Sequence, residues 1–345
     1  MIGSLTGIRA FAALWVVAHH LRLGPAYSFV LPMWLERLCG LGYLGVDLFG
    51  FLSGFVISYH YAARMAGADR QAVGRYLWVR AVRIVPLHWL ALGLLVAARL
   101  GAVDFFAPPL YRQSDLVQQL LLVHGWGIGR FAWNLPSWTV SSEWLCYLLF
   151  PLTALALVRV RSGAACAALA AATLAATALA MVRVGHADFN AAMDWGVVRV
   201  FGEFTTGCWL ERAWAAGFAR RAPWPLVALA AVGAAVAFAV LPLAPAMVAC
   251  FAVLVYALAD QRGILSKLLS SRPLLFLGEA SYAIYMMHWP VMRVLGRFVA
   301  PARTLAELRT VIALYLAGIL AAALAVHLAF EDPVRRRLRG RFGPV

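Results

Sequence analysis

Two ionisable residues, Arg9 and His20, lie eleven positions apart in the first apolar stretch of the chain, LTGIRAFAALWVVAHHL. Eleven residues at 100° each bring the two side chains to within about 20° of one another around a helix, roughly 16 Å apart along its axis. His19 falls on a different face. Because charge is costly in an apolar helix, such residues commonly have a function. His20 could be a general base or a nucleophile, and Arg9 could bind an anion.

Arg80 and Arg83 begin the third apolar segment, RYLWVRAVRIVPLHW. They are three residues apart and therefore share one face of a helix. Together with Arg9 they would form a cluster suited to phosphate groups, which guanidinium binds through paired hydrogen bonds. Simple anchoring of the segment at the inner membrane surface is the alternative explanation.

Glu143 lies about one and a half turns inside the fourth apolar segment, NLPSWTVSSEWLCYLLFP. This segment would run opposite to the first, so we expect Glu143 at a depth similar to that of His20. A carboxylate beside an imidazole orients it for proton transfer, and we predict His20 and Glu143 as catalytic partners. A glutamate that stabilises the start of its helix is the alternative.

Six further residues are candidates for contacts with a substrate. They are the polar and aromatic residues Asp47, Ser53, Trp138, Ser141, Tyr282 and His288. Asp47 is equally well explained as a helix-start residue, and His288 as part of a kink at the following proline. Gly45, Gly50 and Gly54 in the second segment favour close helix packing over a phosphate loop.

The composition is that of an integral membrane protein, with 63% hydrophobic residues, 13% charged residues and a mean hydropathy of +0.80. Apolar stretches long enough to cross a bilayer recur along the chain. We predict ten spans, at 5–23, 41–63, 78–99, 138–159, 163–183, 196–213, 224–242, 244–260, 274–297 and 308–330. The sixth is the weakest because it is short and carries Glu203. The expected fold is all-α, a polytopic helical bundle in one domain, 1–345, with no appended soluble domain.

Positive charge dominates the chain, since 30 Lys and Arg against 15 Asp and Glu give a formal net charge of +15. The basic residues concentrate in alternate connections and in the C-terminal tail, RRRLRGR. By the positive-inside rule, both termini are predicted to be cytoplasmic. Anionic lipid headgroups, and not nucleic acid, are the expected partners of the tail. The five cysteines have no CxxC spacing, and we expect no metal site.

The apolar segments differ in how much polar chemistry they carry. Segments 163–183 and 224–242 are rich in alanine and predict peripheral helices. The connection 100–137 contains glycines, aromatic residues and prolines, which predict a folded loop or re-entrant piece at the outer surface. The candidate site is therefore expected among segments one to four, nine and the end of ten.

Six motifs, taken in order, resemble those of the acyltransferase-3 family of multipass membrane O-acyltransferases. They are GIRAFAALWVVAHH, GVDLFGFLSGFVIS, RAVRIVP, SWTVSSEWLCY, SYAIYMMHWPV and FEDPVRR. The resemblance implies a ten-span inner-membrane enzyme that moves an acyl group, commonly acetyl, from cytoplasmic acyl-CoA to a hydroxyl of surface or exported carbohydrate. It also implies that His20 is essential and that Arg9, Arg80 and Arg83 engage the donor. Whether His20 acts as a base or carries the acyl group is left open.

Two departures from the family pattern affect the expected mechanism. Trp144 stands where a second acid is usual, so Glu143 would act without a neighbouring carboxylate. Many members carry an esterase-like C-terminal domain, which we do not expect here. If acyl transfer needs such a domain, a separate periplasmic protein would supply it.

A secondary transporter or a lipid-linked sugar flippase is the rival hypothesis, because it too would need charges within the membrane. The hydropathy pattern shows no internal repeat and no paired broken helices, which argues against a transporter. The sequence also contains no GxSxG, HExxH or P-loop motif, which disfavours nucleophile-elbow hydrolases, zincins and ATP-driven pumps.

Overall fold

The computed structural model describes residues 2–22, 32–100, 112–128, 132–192, 194–218, 223–239, 244–299, 302 and 304–340, and these residues form helices and turns without a strand. The longer helices are α1 (Gly3–Leu21), α3 (Gly45–Met65), α4 (Arg70–Leu100), α6 (Trp138–Leu157), α7 (Gly163–Arg183), α8 (Gly196–Ala215), α9 (Pro223–Ala239), α10 (Ala244–Ala259), α13 (Ser281–Phe298) and α14 (Leu305–Val326). The shorter helices are α2 (Met33–Gly40), α5 (Leu116–Leu120), α11 (Gly263–Leu269), α12 (Arg272–Glu279) and α15 (Asp332–Arg339). A π-helical turn, His327–Glu331, joins α14 to α15.

Each of the ten predicted spans coincides with helical structure, and the predicted all-α class is confirmed for the described residues. By length and composition, five helical stretches there could cross a membrane, or six if the α10–α11 pair, bent by 86°, is one span. The ninth predicted span, 274–297, is not one helix, because α12 and α13 meet at Ala280. Ten spans and cytoplasmic termini stay predictions.

The end of α11 and helix α12 both contact α1 at very close range. A Cβ atom at Gly7 would lie 1.9 Å from the carbonyl oxygen of Leu269, and one at Gly278 would lie 2.0 Å from that of Thr6. Both distances are overlaps with backbone, so neither position accepts a side chain without movement of the helices. The contact fixes the first turns of α1, which carry Arg9.

Helices α3 and α8 also pack with their backbones close together. A Cβ atom at Gly54 would lie 1.8 Å from the carbonyl oxygen of Phe204, and one at Gly50 would lie 2.7 Å from the carboxylate of Glu203. Gly45 approaches the backbone of α1 in a similar way. The predicted role of the three α3 glycines in close helix packing is therefore confirmed.

A buried ion pair joins α3 to α8 beside this crossing. Arg199 donates from Nε and Nη2 to the two carboxylate oxygens of Asp47, and Nε also lies 3.4 Å from Glu203 Oε1. Nη1 and Nη2 of Arg199 also donate to the carbonyl oxygens of Ala191 and Tyr43, respectively. The Arg199 side chain is 1% exposed and that of Asp47 is 0% exposed. Each nitrogen of this guanidinium therefore has a partner within the protein.

Helices α7 and α9 lie at the periphery, as predicted. Large apolar side chains are exposed on both, including Leu179 on α7 and Leu229 and Val232 on α9. Exposed aliphatic side chains on alanine-rich helices suit contact with lipid. The polar residues of the bundle therefore concentrate between α1, α3, α4, α6, α8 and α13.

The connection 100–137 is predicted to be a folded loop or re-entrant piece. Its residues 101–111 and 129–131 lie outside the described residues. Its described part contains α5 and a series of turns. His88 of α4 places Nε2 2.8 Å from the carbonyl oxygen of Gln119, which can only accept a hydrogen bond. The described part of this connection is thus folded onto α4.

Replacement of Arg199 by Met should lower the free energy of unfolding by about 3–5 kcal/mol, because Asp47 and Glu203 would then be buried without a counter-ion. Thermal unfolding of the purified protein in detergent measures the change. The matched control is Arg161→Met, an exposed arginine after α6, which should shift stability by less than about 0.5 kcal/mol. Equal effects of the two substitutions would show that the buried pair does not hold α3 to α8.

Candidate active site

A cavity of about 790 Å³ opens between α1, α3, α4, α6, α13, the π-helical turn and α15. Of the predicted site residues, it brings together the donor-binding arginines, Glu143, Ser53 and Tyr282. The polar and aromatic side chains of its lining include Arg9, Ser53, Tyr59, His60, Arg80, Arg83, Thr139, Glu143, Tyr147, Tyr282, Tyr285, His327, Asp332, Arg335, Arg336 and Arg339. The cavity thus has a strongly cationic part.

The two arginines of α4 each make one polar contact with a described side chain. Arg80 donates from Nη2 to the hydroxyl of Tyr61 at 3.0 Å, and its Nε is buried without a partner among the described residues. Arg83 places Nη1 3.6 Å from Glu331 Oε1, and its guanidinium lies 5.9 Å from the centre of the Tyr282 ring. Neither contact uses up the five N–H donors of a guanidinium, so both side chains keep donors for a ligand.

Arg9 is different, because it makes no hydrogen bond or ion pair with any described residue. It is partly buried and lies close enough to Arg83 and Arg80 for their charges to repel, and close enough to Glu143 for attraction. A cation inside an apolar bundle is costly unless an anion neutralises it. The charge and position of the three arginines would suit an anionic group.

Glu143 belongs to the cavity, but its partner is not His20. Its Oε1 accepts a hydrogen bond from the hydroxyl of Tyr147 at 2.6 Å, one helical turn further along α6. The Tyr147 hydroxyl lies 3.3 Å from Ser53 Oγ. Both His20 and Glu143 are described residues, and no hydrogen bond joins them. His20 instead contacts His288 of α13, whereas Glu143 lines the cavity beside Tyr147.

His20 lies beside His288 and outside the residues that line the cavity. Its Nδ1 is 3.0 Å from the carbonyl oxygen of Val16 and 3.3 Å from His288 Nε2, and the two imidazole centres are 5.0 Å apart. Because a carbonyl can only accept, the contact with Val16 places the proton on Nδ1 and leaves Nε2 as the basic nitrogen. His19 is engaged elsewhere, at 2.8 Å from the carbonyl oxygen of Gly40.

One layer of side chains connects the cavity to this histidine pair. Tyr285 lines the cavity, and its ring centre lies 5.8 Å from that of His288. Its hydroxyl is held 2.7 Å from Thr139 Oγ1 at the start of α6. His288 in turn contacts His20. Side chains of α13 therefore stand between the predicted donor site and the predicted catalytic histidine.

Four predicted substrate contacts do not line the cavity, namely Asp47, Trp138, Ser141 and His288. Asp47 is bound by Arg199, as described above. Trp138 is buried against α8, where a Cβ atom at Gly196 would overlap its ring. Ser141 is fully buried and serves the connection before α6. The two other hydroxyl residues of this predicted set, Ser53 and Tyr282, do line the cavity, and the Tyr282 hydroxyl donates to the carbonyl of Ile84 at 2.6 Å.

Sequence reasoning missed Tyr147 and Arg199 as partners of the predicted acids. Tyr147 follows Glu143 by four residues, a spacing that places two side chains side by side on a helix and could have indicated the pair. Arg199 and Glu203 have the same spacing in the sixth predicted span. Glu331 is an ion-pair partner of Arg83, at 3.6 Å, and its Oε2 also lies 2.8 Å from His327 Nδ1.

The comparisons with known proteins identify the family to which this helical protein belongs. Residues 2–328 match the family model described as an acyltransferase domain, acyltransferase-3, and the chain belongs to this family. It is therefore an acyltransferase. Among the described residues, no group of three or more His, Cys, Asp or Glu side chains could hold a metal ion. No solved structure matches the chain.

Two curated relatives illustrate the range of the family. The chain is 32% identical to the acyltransferase MdmB of Streptomyces mycarofaciens, in a match that covers 99% of this chain and 93% of the relative. It is 24% identical to the O-acetyltransferase OatA of Staphylococcus aureus, covering 96% of this chain and 57% of the relative. The chain thus spans nearly all of one relative and little more than half of the other.

Ser141→Ala should lower the free energy of unfolding by about 1–3 kcal/mol, because two buried backbone groups would lose their partner. Ser141 Oγ donates to the carbonyl of Leu122 at 2.7 Å and accepts from the N–H of Gly125 at 2.9 Å. Ser53→Ala, the matched control on the cavity wall, should cost less because its one contact is long. Thermal unfolding compares the two variants, and an equal or larger loss for Ser53→Ala would contradict a structural role for Ser141.

Proposed function

We propose that the protein is a multipass O-acyltransferase of the inner membrane, with ten spans and both termini in the cytoplasm. It would take an acyl group, acetyl in the first instance, from cytoplasmic acyl-CoA and transfer it to a hydroxyl of an exported or surface carbohydrate. The observation that carries this proposal is the unpaired guanidinium of Arg9 beside Arg80 and Arg83 in one cavity. Three cations around one space suit the phosphate groups of CoA.

The length and direction of α1 support a path from the donor phosphates to His20. Arg9 and His20 lie in one uninterrupted helix, so roughly 16 Å separate them along its axis. The extended pantetheine arm of acyl-CoA suits such a distance. With the phosphates at Arg9, the arm would pass Ser53 and Tyr147 and bring the thioester toward Tyr285 and His288.

In the transfer step, the hydroxyl oxygen of the acceptor attacks the thioester carbonyl carbon. We assign His20 as the base that takes the hydroxyl proton through Nε2, with His288 and the carbonyl of Val16 orienting its ring. The carbon–sulfur bond then breaks, and the thiolate of CoA takes up a proton and leaves as the thiol. An acyl-histidine intermediate uses the same geometry, with Nε2 as the nucleophile.

In this proposal Glu143 is not the direct partner of His20 that the sequence predicted. It lies in the donor cavity with Tyr147, close enough to Arg9 for attraction. Its negative charge would partly offset the positive charge of Arg9 when no donor is bound, without a direct ion pair between the two side chains. A carboxylate that weakly balances an arginine in this way keeps the empty site from carrying three uncompensated cations.

Arg9→Met should reduce kcat/KM for acetyl-CoA at least roughly 30-fold, because loss of a partner in a desolvated charge pair costs about 2 kcal/mol or more. Release of the CoA thiol from reconstituted protein, with chitooligosaccharide and soluble peptidoglycan fragments as probe acceptors, measures the rate. The matched control Arg161→Met removes an exposed arginine and should leave the rate unchanged.

His20→Ala should lower kcat by about 10²–10⁴-fold, the usual contribution of a positioned general base, while CoA binding is kept. The same thiol-release assay and the appearance of acetyl ester on the acceptor measure this. If His20→Ala and Arg9→Met both turn over acetyl-CoA like the unmodified protein, the assignment of this site is wrong.

A further inference from the structure

The C-terminal helix α15 adds a second group of arginines to the mouth of the same cavity. Asp332, Arg335, Arg336 and Arg339 all line it. These positions follow the spacing i, i+3, i+4 and i+7, so they form one face of the helix. Arg337, on the same helix, is exposed and does not line the cavity. We call the cavity-lining set the α15 face.

The α15 face is rigidly placed against the helix that carries Arg80 and Arg83. The indole Nε1 of Trp78 in α4 donates to the carbonyl of Leu338 in α15 at 3.1 Å. At the start of α15, Glu331 contacts both His327 and Arg83. π-Helical turns such as His327–Glu331 occur frequently at functional sites, and this one turns α15 across the cavity mouth.

The charges of the α15 face are only partly balanced within the helix. Asp332 accepts from Nη2 of Arg335 and from Nη2 of Arg336, each at 2.6 Å. One carboxylate thus positions two guanidiniums and leaves their other N–H groups available. Arg339 makes no hydrogen bond or ion pair with any described residue, and it lies close enough to Arg80 and Arg83 for charge repulsion. The face keeps a net charge of +2.

The arginines of this cavity come from two parts of the fold, the helical bundle and the α15 face, and together they suit a ligand with more than one phosphate group. Arg9, Arg80 and Arg83 lie within the bundle, and the α15 face lies at its mouth. Coenzyme A carries a pyrophosphate and, on its ribose, a separate 3′-phosphate. The mouth also presents aromatic side chains, Tyr59 and His60, to which a purine can stack. A nucleotide end at the mouth, with its arm directed inward, satisfies both groups.

We infer that the α15 face recognises the ribose 3′-phosphate of the acyl-CoA donor, while Arg9, Arg80 and Arg83 bind the pyrophosphate. The inference rests on the proposed function, because it names a second part of the same donor site. Arg335 and Arg339 provide the direct contacts, and Asp332 is a positioning residue that holds Arg335 and Arg336 toward the mouth. The enzyme thereby discriminates CoA from nucleotides and thiol cofactors that lack this phosphate.

The test compares equilibrium binding of CoA and dephospho-CoA, which differ only in the 3′-phosphate, to the full chain purified in a neutral detergent. The unmodified protein should bind CoA about tenfold or more tightly than dephospho-CoA, as expected for charge-assisted hydrogen bonds. The double variant Arg335→Gln, Arg339→Gln should bind both with nearly equal affinity and keep the affinity for dephospho-CoA. The matched control Arg337→Gln should keep the full preference for CoA.

The outcomes separate the inference from the proposed function. If the unmodified protein binds both nucleotides equally and Arg9→Met weakens both, the donor site stands and the assignment of the α15 face is overturned. If neither nucleotide binds, or Arg9→Met has no effect on either, the proposed donor site itself fails.

A lipid phosphate is the other source of the same chemistry. Native mass spectra show whether each protein retains phosphatidylglycerol. If CoA and dephospho-CoA bind equally, and the unmodified protein retains this lipid but the double variant does not, the α15 face binds lipid and the inference is overturned.

Discussion

A guanidinium within an apolar helical bundle needs an anion, and this protein meets that requirement in two ways. Arg199 is enclosed by Asp47, Glu203 and two backbone carbonyls, so its charge is satisfied by the fold and helps to hold α3 against α8. Arg9 has no such partner among the described residues. The same type of side chain is thus a structural element at position 199, whereas at position 9 we propose that a ligand supplies the anion. The difference lies in the protein acids around the two residues.

The fold positions the second kind of arginine with little freedom. Close backbone contacts at Gly7 and Gly278 fix the start of α1, and the crossing at Gly54 fixes α3 against α8. The cavity between these helices therefore has walls that cannot easily collapse onto Arg9. A site held open in this way avoids reorganisation when a charged donor enters, which is the requirement for electrostatic preorganisation.

Helix periodicity predicted the shared face of Arg9 and His20, the different direction of His19 and the segments that became helices. These properties depend only on neighbours along one helix. The predicted pairing of His20 with Glu143 failed because depth in a bundle says nothing about which neighbouring helix a side chain faces. The division of α12 from α13 and the partnership of Arg199 with Asp47 likewise depend on contacts between segments far apart in sequence. Membership of the acyltransferase-3 family could be inferred because six local motifs in order carry it.

The central claim is that Arg9, Arg80 and Arg83 are kept for the phosphates of an acyl-CoA donor. An experimental structure of the full chain with bound CoA tests it most directly. The account predicts pyrophosphate oxygens within hydrogen-bond distance of Arg9 and of at least one of Arg80 and Arg83, with the thiol end of the arm directed toward Tyr285. CoA bound elsewhere, or Arg9 paired with a protein carboxylate while CoA is bound, would contradict it.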